Sequence, residues 1–294
     1  MFFASWLRNQ KRHSSPRKRP NFRPTLEALE DRWLPSTLTV MNDLDSGAGS
    51  LRAEIAAAHA GDTIVFAPSL VGQTITLTSG ELLIDHNLTI AGPGAGKLTV
   101  SGNHASRVFE VDPKSGHSVT LSGLTIANGN AGISIGGGIL NVATTLTVSN
   151  CTLTGNSATD GGGIDNVGGT LTVNNCTLSG NSADYGGGIF RDTVGTTTVS
   201  GSTLTGNSAT DGGGGIYAKV ATFTVSGSTL TGNSATDGGG IFIEAGTLTV
   251  NHTSSITGNT APAGFGADVY NLGVLYLDAS SIIGILNGNP AIRI

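Results

Sequence analysis

One stretch constrains the fold more than any other. Between Val148 and Val250 the chain repeats one phrase four times: CTLTGNSATDGGGI, CTLSGNSADYGGGI, STLTGNSATDGGGGI and STLTGNSATDGGGI. The asparagines of these copies are Asn156, Asn181, Asn207 and Asn233, and a degraded fifth copy carries Asn259, so the spacings are 25, 26, 26 and 26 residues. In each copy a glycine follows the asparagine after four residues: Gly161, Gly186, Gly212, Gly238 and Gly264. A second theme of Leu/Phe-Thr-Val type lies between copies, as at Leu146–Val148 and Leu171–Val173. A period in this range is the mark of a solenoid.

Each copy alternates aliphatic with small polar residues and is interrupted by Gly and Asn, a period-2 strand pattern bounded by turn residues. Glycine runs and β-branched residues disfavour helix. About 25 residues hold three short strands and three turns, so one copy makes one coil of a single-stranded parallel β-helix. Coils then stack at about 4.8 Å. Leu146, Val148, Leu153 and Ile164 are expected to face inward, and Thr147, Thr152 and Thr154 outward. In-register coils place Asn156, Asn181, Asn207, Asn233 and Asn259 in one file, where each amide donates to one neighbour and accepts from the other. A buried Asn with those partners is satisfied; the alternative is a polar ligand site.

Composition agrees with this reading. The 294 residues include 45 Gly and nine Pro, and are only 12% charged and 5% aromatic. Glycine lacks the three-residue period of collagen, and the hydrophobic content of 38% excludes a wholly disordered chain. Charge is divided unevenly. Residues 1–35 carry eight Lys/Arg against three acids, a net of +5, whereas the remainder carries seven against 17, a net of −10. The body therefore offers no basic groove for nucleic acid. No apolar run reaches the length of a transmembrane helix.

Residues 1–35 read as a basic, largely disordered leader with a short helix: Leu26, Leu29 and Trp33 share a face, Thr25 caps it and Pro35 ends it. The segment LEALEDRWLPS resembles the LExLEDRxxPS leader of large exported or surface-displayed bacterial proteins, which implies an address for export. From Ser36 the chain should form the β-helix: an N-terminal cap over 36–62, irregular coils over 63–135, regular repeats over 136–278 and a terminal coil over 279–294. Ser50 is expected to cap a lid helix, Leu51–Ala60, ended by Gly61. Arg52 and Glu54 read as solvated charges on it. Ser50–Ile55 with Gly61–Ile64 resembles the SLREAI…GDTI opening of bacterial right-handed β-helix proteins, which implies the right-handed, pectate-lyase-like solenoid. The irregular and regular coils together number roughly nine, a rod on the order of 45 Å long. The GGGI and LTGN elements, such as Gly161–Ile164 and Leu153–Asn156, resemble the repeats of polymorphic outer membrane proteins. That resemblance implies an extracellular or cell-surface rod. No run of alternating barrel strands follows.

The chemistry-bearing residues are sparse. Cys151 and Cys176 hold the same place in neighbouring coils, where Ser202 and Ser228 follow. Their separation allows a disulfide, but in-register side chains are poorly aimed for one, which favours a buried thiol pair. The histidines of the body are scattered. Asp160, Asp184, Asp211 and Asp237 stand at or one residue before the glycine runs. They are candidate calcium ligands, calcium being the one cofactor the sequence admits; otherwise they satisfy turn amides. Near the end, AGFGAD at 263–268 is close to one unit of a calcium repeat, with no tandem copies. No catalytic residues are assigned. The reading is a non-catalytic surface β-helix for adhesion, scaffolding or glycan contact, with another protein chain as a partner at an uncapped C-terminal end. The alternative is a carbohydrate-active lyase or hydrolase, which would need a groove holding clustered acids with an Arg or Lys.

Overall fold

The computed structural model describes residues 34–112, 116–193 and 195–294. The leader helix expected around Leu26–Trp33 lies outside them. From Leu34 onward the chain forms one unit, a parallel β-solenoid of about nine turns.

Three stacks of parallel strands run along it. The first begins with Thr37–Val40, Asp62–Phe66 and Leu88–Ala91 and continues through Thr145–Ser149 and Thr170–Asn174. The second runs from Leu82–Ile84 through Phe109–Val111, Ile139–Val142 and Ile164–Val167 to Leu286–Gly288. The third is a nine-stranded sheet from Gln73–Thr76 to Ile282–Ile283. Two strands of 11 residues, Ile216–Ser226 and Ile241–Asn251, pass from the second stack into the first without a break and merge them into one 18-stranded sheet.

Equal residues pair with equal residues. Leu146 lies beside Leu171, Val148 beside Val173 and Leu153 beside Leu178. Leu146, Val148, Leu153 and Ile164 are fully buried in one continuous core, while Thr147, Thr152 and Thr154 are half-buried on the outside. Stacking identical aliphatics keeps rotamers matched from coil to coil, so a narrow interior fills without voids.

The glycine runs have two separate causes. Gly161, Gly186, Gly213 and Gly238 have φ between +58° and +67°, the left-handed region that favours glycine. The next glycine sits where coils touch: a Cβ on Gly162 would lie 2.3 Å from Ser182 O, and one on Gly187 2.3 Å from Ser208 O. The third and fifth copies depart from simple counting. Gly213 takes the left-handed place instead of Gly212, and Gly266 takes it instead of Gly264.

The lid helix is shorter than its composition suggests. It covers Leu51–Ala57, and Ser50 Oγ accepts from Ala53 N. Ala58 is already extended, because Asp62 reaches back: its two oxygens accept from His59 N at 2.8 Å and Ser36 N at 2.6 Å. Those bonds, His59 first, hold the Asp62 carboxyl below its ordinary value. Leu51 and Ile55 join the core and close its first coil. Arg52 is not a solvated charge. It donates to Asp45 Oδ1 at 2.9 Å, Gly80 O at 2.6 Å and Glu81 O at 2.7 Å, tying the helix to the second stack.

Candidate functional site

The asparagine file is continuous. Asn156 Nδ2 donates to Asn181 Oδ1, Asn181 to Asn207 and Asn207 to Asn233, each at 2.9 Å, and Asn233 to Asn259 at 2.8 Å. From Asn181 onward each Oδ1 also accepts from the backbone N of the preceding coil's Asn, while Asn156 Oδ1 accepts from Gly129 N at 2.8 Å; each Nδ2 also donates to a Leu or Ile carbonyl, as Asn181 does to Leu153 O at 3.0 Å. Every member is buried. Such an amide has no capacity left for a ligand.

The file ends on a residue that composition gave no reason to single out. Asn259 Nδ2 and N both donate to Asp268 Oδ1, at 2.9 Å each, and Ile285 N donates to Asp268 Oδ2 at 2.7 Å. Asp268, the acid of the AGFGAD segment, thus takes the place of the next asparagine. The coil beyond it is short: Val269 pairs with Leu286, 17 residues on.

A sulfur and hydroxyl file runs parallel to the amides. Cys151 N donates to Cys176 Sγ at 3.4 Å, and the next N–H groups donate to Ser202 Oγ at 3.0 Å and Ser228 Oγ at 3.1 Å. Both cysteines are free and buried. Contact with Cys176 and then burial push the Cys151 thiol up, which keeps it unreactive.

The repeat aspartates are not one file. Asp160 pairs with Tyr185, and Gly212 pairs with both Tyr185 and Asp237, so Asp184 and Asp211 fall one residue before that row. Nor do they close the turns: Asp160 Oδ1 and Asp237 Oδ1 are buried without a hydrogen-bond partner. Burial first, then Asp184 and Asp192, push the Asp160 carboxyl up; burial and Asp211 do the same to Asp237. Among the described residues no three acids, histidines or cysteines converge as a metal-ligand set.

A groove lies instead over the irregular coils, where periodicity gives no help. One part, of about 500 Å³, is lined by Glu81, Arg107, Glu110, Asn130 and Ser134 among others. A second part of about 330 Å³ is lined by Arg52, Glu81, Asp85 and His86 against the lid helix. Glu81 borders both. Alternation builds this side: Phe109 and Val111 point into the core, so Glu110 between them points out. Arg107, 7% exposed, donates from Nη1 to Glu110 Oε2 at 2.5 Å and stands 3.8 Å from Glu81 Oε1. Its Nε donates to Gly136 O at 2.9 Å and its Nη2 to Ile135 O at 2.8 Å. Burial raises the Glu110 carboxyl above its ordinary value; Arg107 opposes this and Glu81 adds to it. In the smaller part, His86 Nδ1 lies 3.0 Å from Asp85 Oδ1, and its buried Nε2 has no hydrogen-bond partner. The sequence signal that could have exposed the groove is the RVFEV segment, with Arg and Glu three apart across a strand.

Residues 97–281 match the family described as the right-handed β-helix region. The chain belongs to that family. The fold is similar to the crystal structure of pectate lyase Pel9A, with a TM-score of 0.45 and 15% identity over 87% of this chain and 79% of that one. It is also similar to ORF18 of Geobacillus virus E2, with a TM-score of 0.41 and 13% identity; the alignment covers 87% of this chain and 60% of that one. No curated protein matches the sequence.

Proposed function

We propose that the chain is an extracellular or cell-surface β-helix rod that holds glycans against its side without cleaving them. The groove bordered by Glu81 carries this reading. It is open and of ligand size, and it mixes carboxylate, guanidinium, amide and hydroxyl groups, the donor and acceptor set that suits sugar hydroxyls. The basic leader, with its LEALEDRWLPS segment, serves as the export address. Exposed Ile282, Ile285, Ile292 and Ile294 offer a surface for another protein chain.

A second reading, glycan hydrolysis, is favoured by one observation. Glu110 holds a raised carboxyl beside Glu81, the pairing that general acid–base work uses. Against it, Arg107 is committed to carbonyls and Glu110, which makes the cation a clamp on the groove wall. A polysaccharide panel assayed for both binding and release of reducing ends, with and without calcium, separates the two. Binding that Glu110→Gln weakens, with no new reducing ends, is expected. Cleavage abolished by Glu81→Gln or Glu110→Gln would replace the binding reading with the hydrolytic one.

A further inference from the structure

Beyond the groove, on the outer side of the second stack, one column of side chains runs Glu110, Leu140, Asp165, Phe190, Tyr217, Phe242 and Tyr270. Phe190 and Tyr217 are stacked with centroids 5.2 Å apart, and Tyr217 meets Phe242 edge-on at 5.0 Å. Tyr185, 36% exposed, lies against Tyr217 at 5.2 Å and forms the accessible face of the set. Carboxyls crowd around these rings. Asp160, Asp184 and Asp211 act on the Tyr185 hydroxyl, and Glu244 accepts a 2.5 Å hydrogen bond from Tyr217. Asp165 lies close enough to feel Asp192 and to act on Arg191.

Compensation is incomplete. Lys219 is paired with Asp192 at 3.0 Å, and the buried Arg191 guanidinium donates to the carbonyls of Gly168, Gly169 and Thr193. Asp165 is fully buried, points outward into the cluster and has no hydrogen-bond partner on either oxygen; one oxygen of Asp160 shares that condition. Burying a carboxyl without donors is costly, and Asp165 meets that cost by keeping its proton, so the negative field at the surface comes from the outer acids Asp184, Asp192, Asp211 and Glu244. A cation arriving there is drawn by those acids, and an aromatic face adds cation–π attraction.

We propose that this acidic, aromatic strip is a second binding surface, for a glycan that carries free amino groups. It rests on the glycan reading for the polymer and on the strip for the charge. Tyr185 offers the face on which a sugar ring lies, and Asp192, Asp211 and Glu244 meet its ammonium groups. Because coils repeat at about 4.8 Å, acids from successive coils engage several amines of one polymer together. Polymers of uronic acids are repelled by the same charges.

The test uses the full chain at about pH 6 and low salt, where amines are protonated. A glucosamine oligomer should bind about tenfold tighter than its N-acetylated counterpart, and polygalacturonate should bind worst. The Asp192→Asn/Asp211→Asn/Glu244→Gln variant should lose that preference. Asp43→Asn/Glu54→Gln, which removes charge elsewhere, should keep it. Equal affinity for both oligomers, or equal loss in both variants, would overturn the strip and leave the groove's glycan reading standing. Binding of spermine with no glycan bound would overturn both.

Discussion

A single side chain decides how the amide file stops. Any member in the middle must donate to the next Oδ1 and accept from the last, which only an amide does. At position 268 both incoming groups are donors: Asn259 on one oxygen and Ile285 N on the other. An acceptor-only carboxylate fits both, whereas an amide would set N–H against N–H. Asp268→Asn, although isosteric, should therefore lower stability by about 2 kcal/mol, read from urea midpoints at pH 7. Asp165 poses the opposite problem, a carboxyl with no donor. Burial first, then Asp160 and Asp192, raise it from an ordinary 3.8 to about 8. The folded chain keeps a proton that the unfolded chain has released, so this contribution is complete below 3.8 and is lost as pH rises to about 8. The slope is up to about 1.4 kcal/mol per pH unit. Asp165→Asn should flatten the fall in stability between pH 5 and pH 8, and raise the melting temperature at pH 8. An unchanged slope would place Asp165 in an ionised state throughout.

Among the elements, the lid helix shows what patterning can and cannot tell. Ser50 as cap and the apolar pair Leu51 and Ile55 are legible because capping and helical spacing are local properties. The early stop at Ala57 is not, since Asp62 pulls the chain away through bonds to Ser36 and His59. The seven-residue helix is too short to hold itself, so its burial against the first coil maintains it. Leu51→Ala should cost about 3 kcal/mol and open the N-terminal coils first. Hydrogen exchange would show it as lost protection at Ile64 and Ile90, with Leu204 and Leu230 unchanged. The long strands Ile216–Ser226 and Ile241–Asn251 were equally hidden. In the first of them the lack of a left-handed residue at Lys219 and Val220 marks the missing turn, whereas Gly168 and Gly169 make one two coils earlier; the second stays continuous although Gly246 has φ +94°.

At the scale of the whole chain, a regular period makes the fold legible and irregularity conceals the chemistry. From Val148 to Val250, register follows from identity, because a one-residue slip would turn every aliphatic outward. The groove escapes that logic. Glu81, Arg107 and Glu110 come from coils of unequal length, and what brings them together is stacking across 26 to 29 residues. If vertical register alone organises the body, whole coils are interchangeable units with nearest-neighbour contacts. Removing residues 208–233 would join Asn207 to Ser234 and seat Asn259 directly on Asn207, leaving every file aligned. The shortened chain should keep its β-sheet circular dichroism and unfold in a cooperative transition, with a melting temperature only a few degrees lower. Removing residues 221–233 would instead place a second-stack strand against the third stack and turn its aliphatics to water. That chain should aggregate or lose its sheet signal. If both deletions behaved alike, long-range contacts other than coil-on-coil stacking would have to hold the rod together.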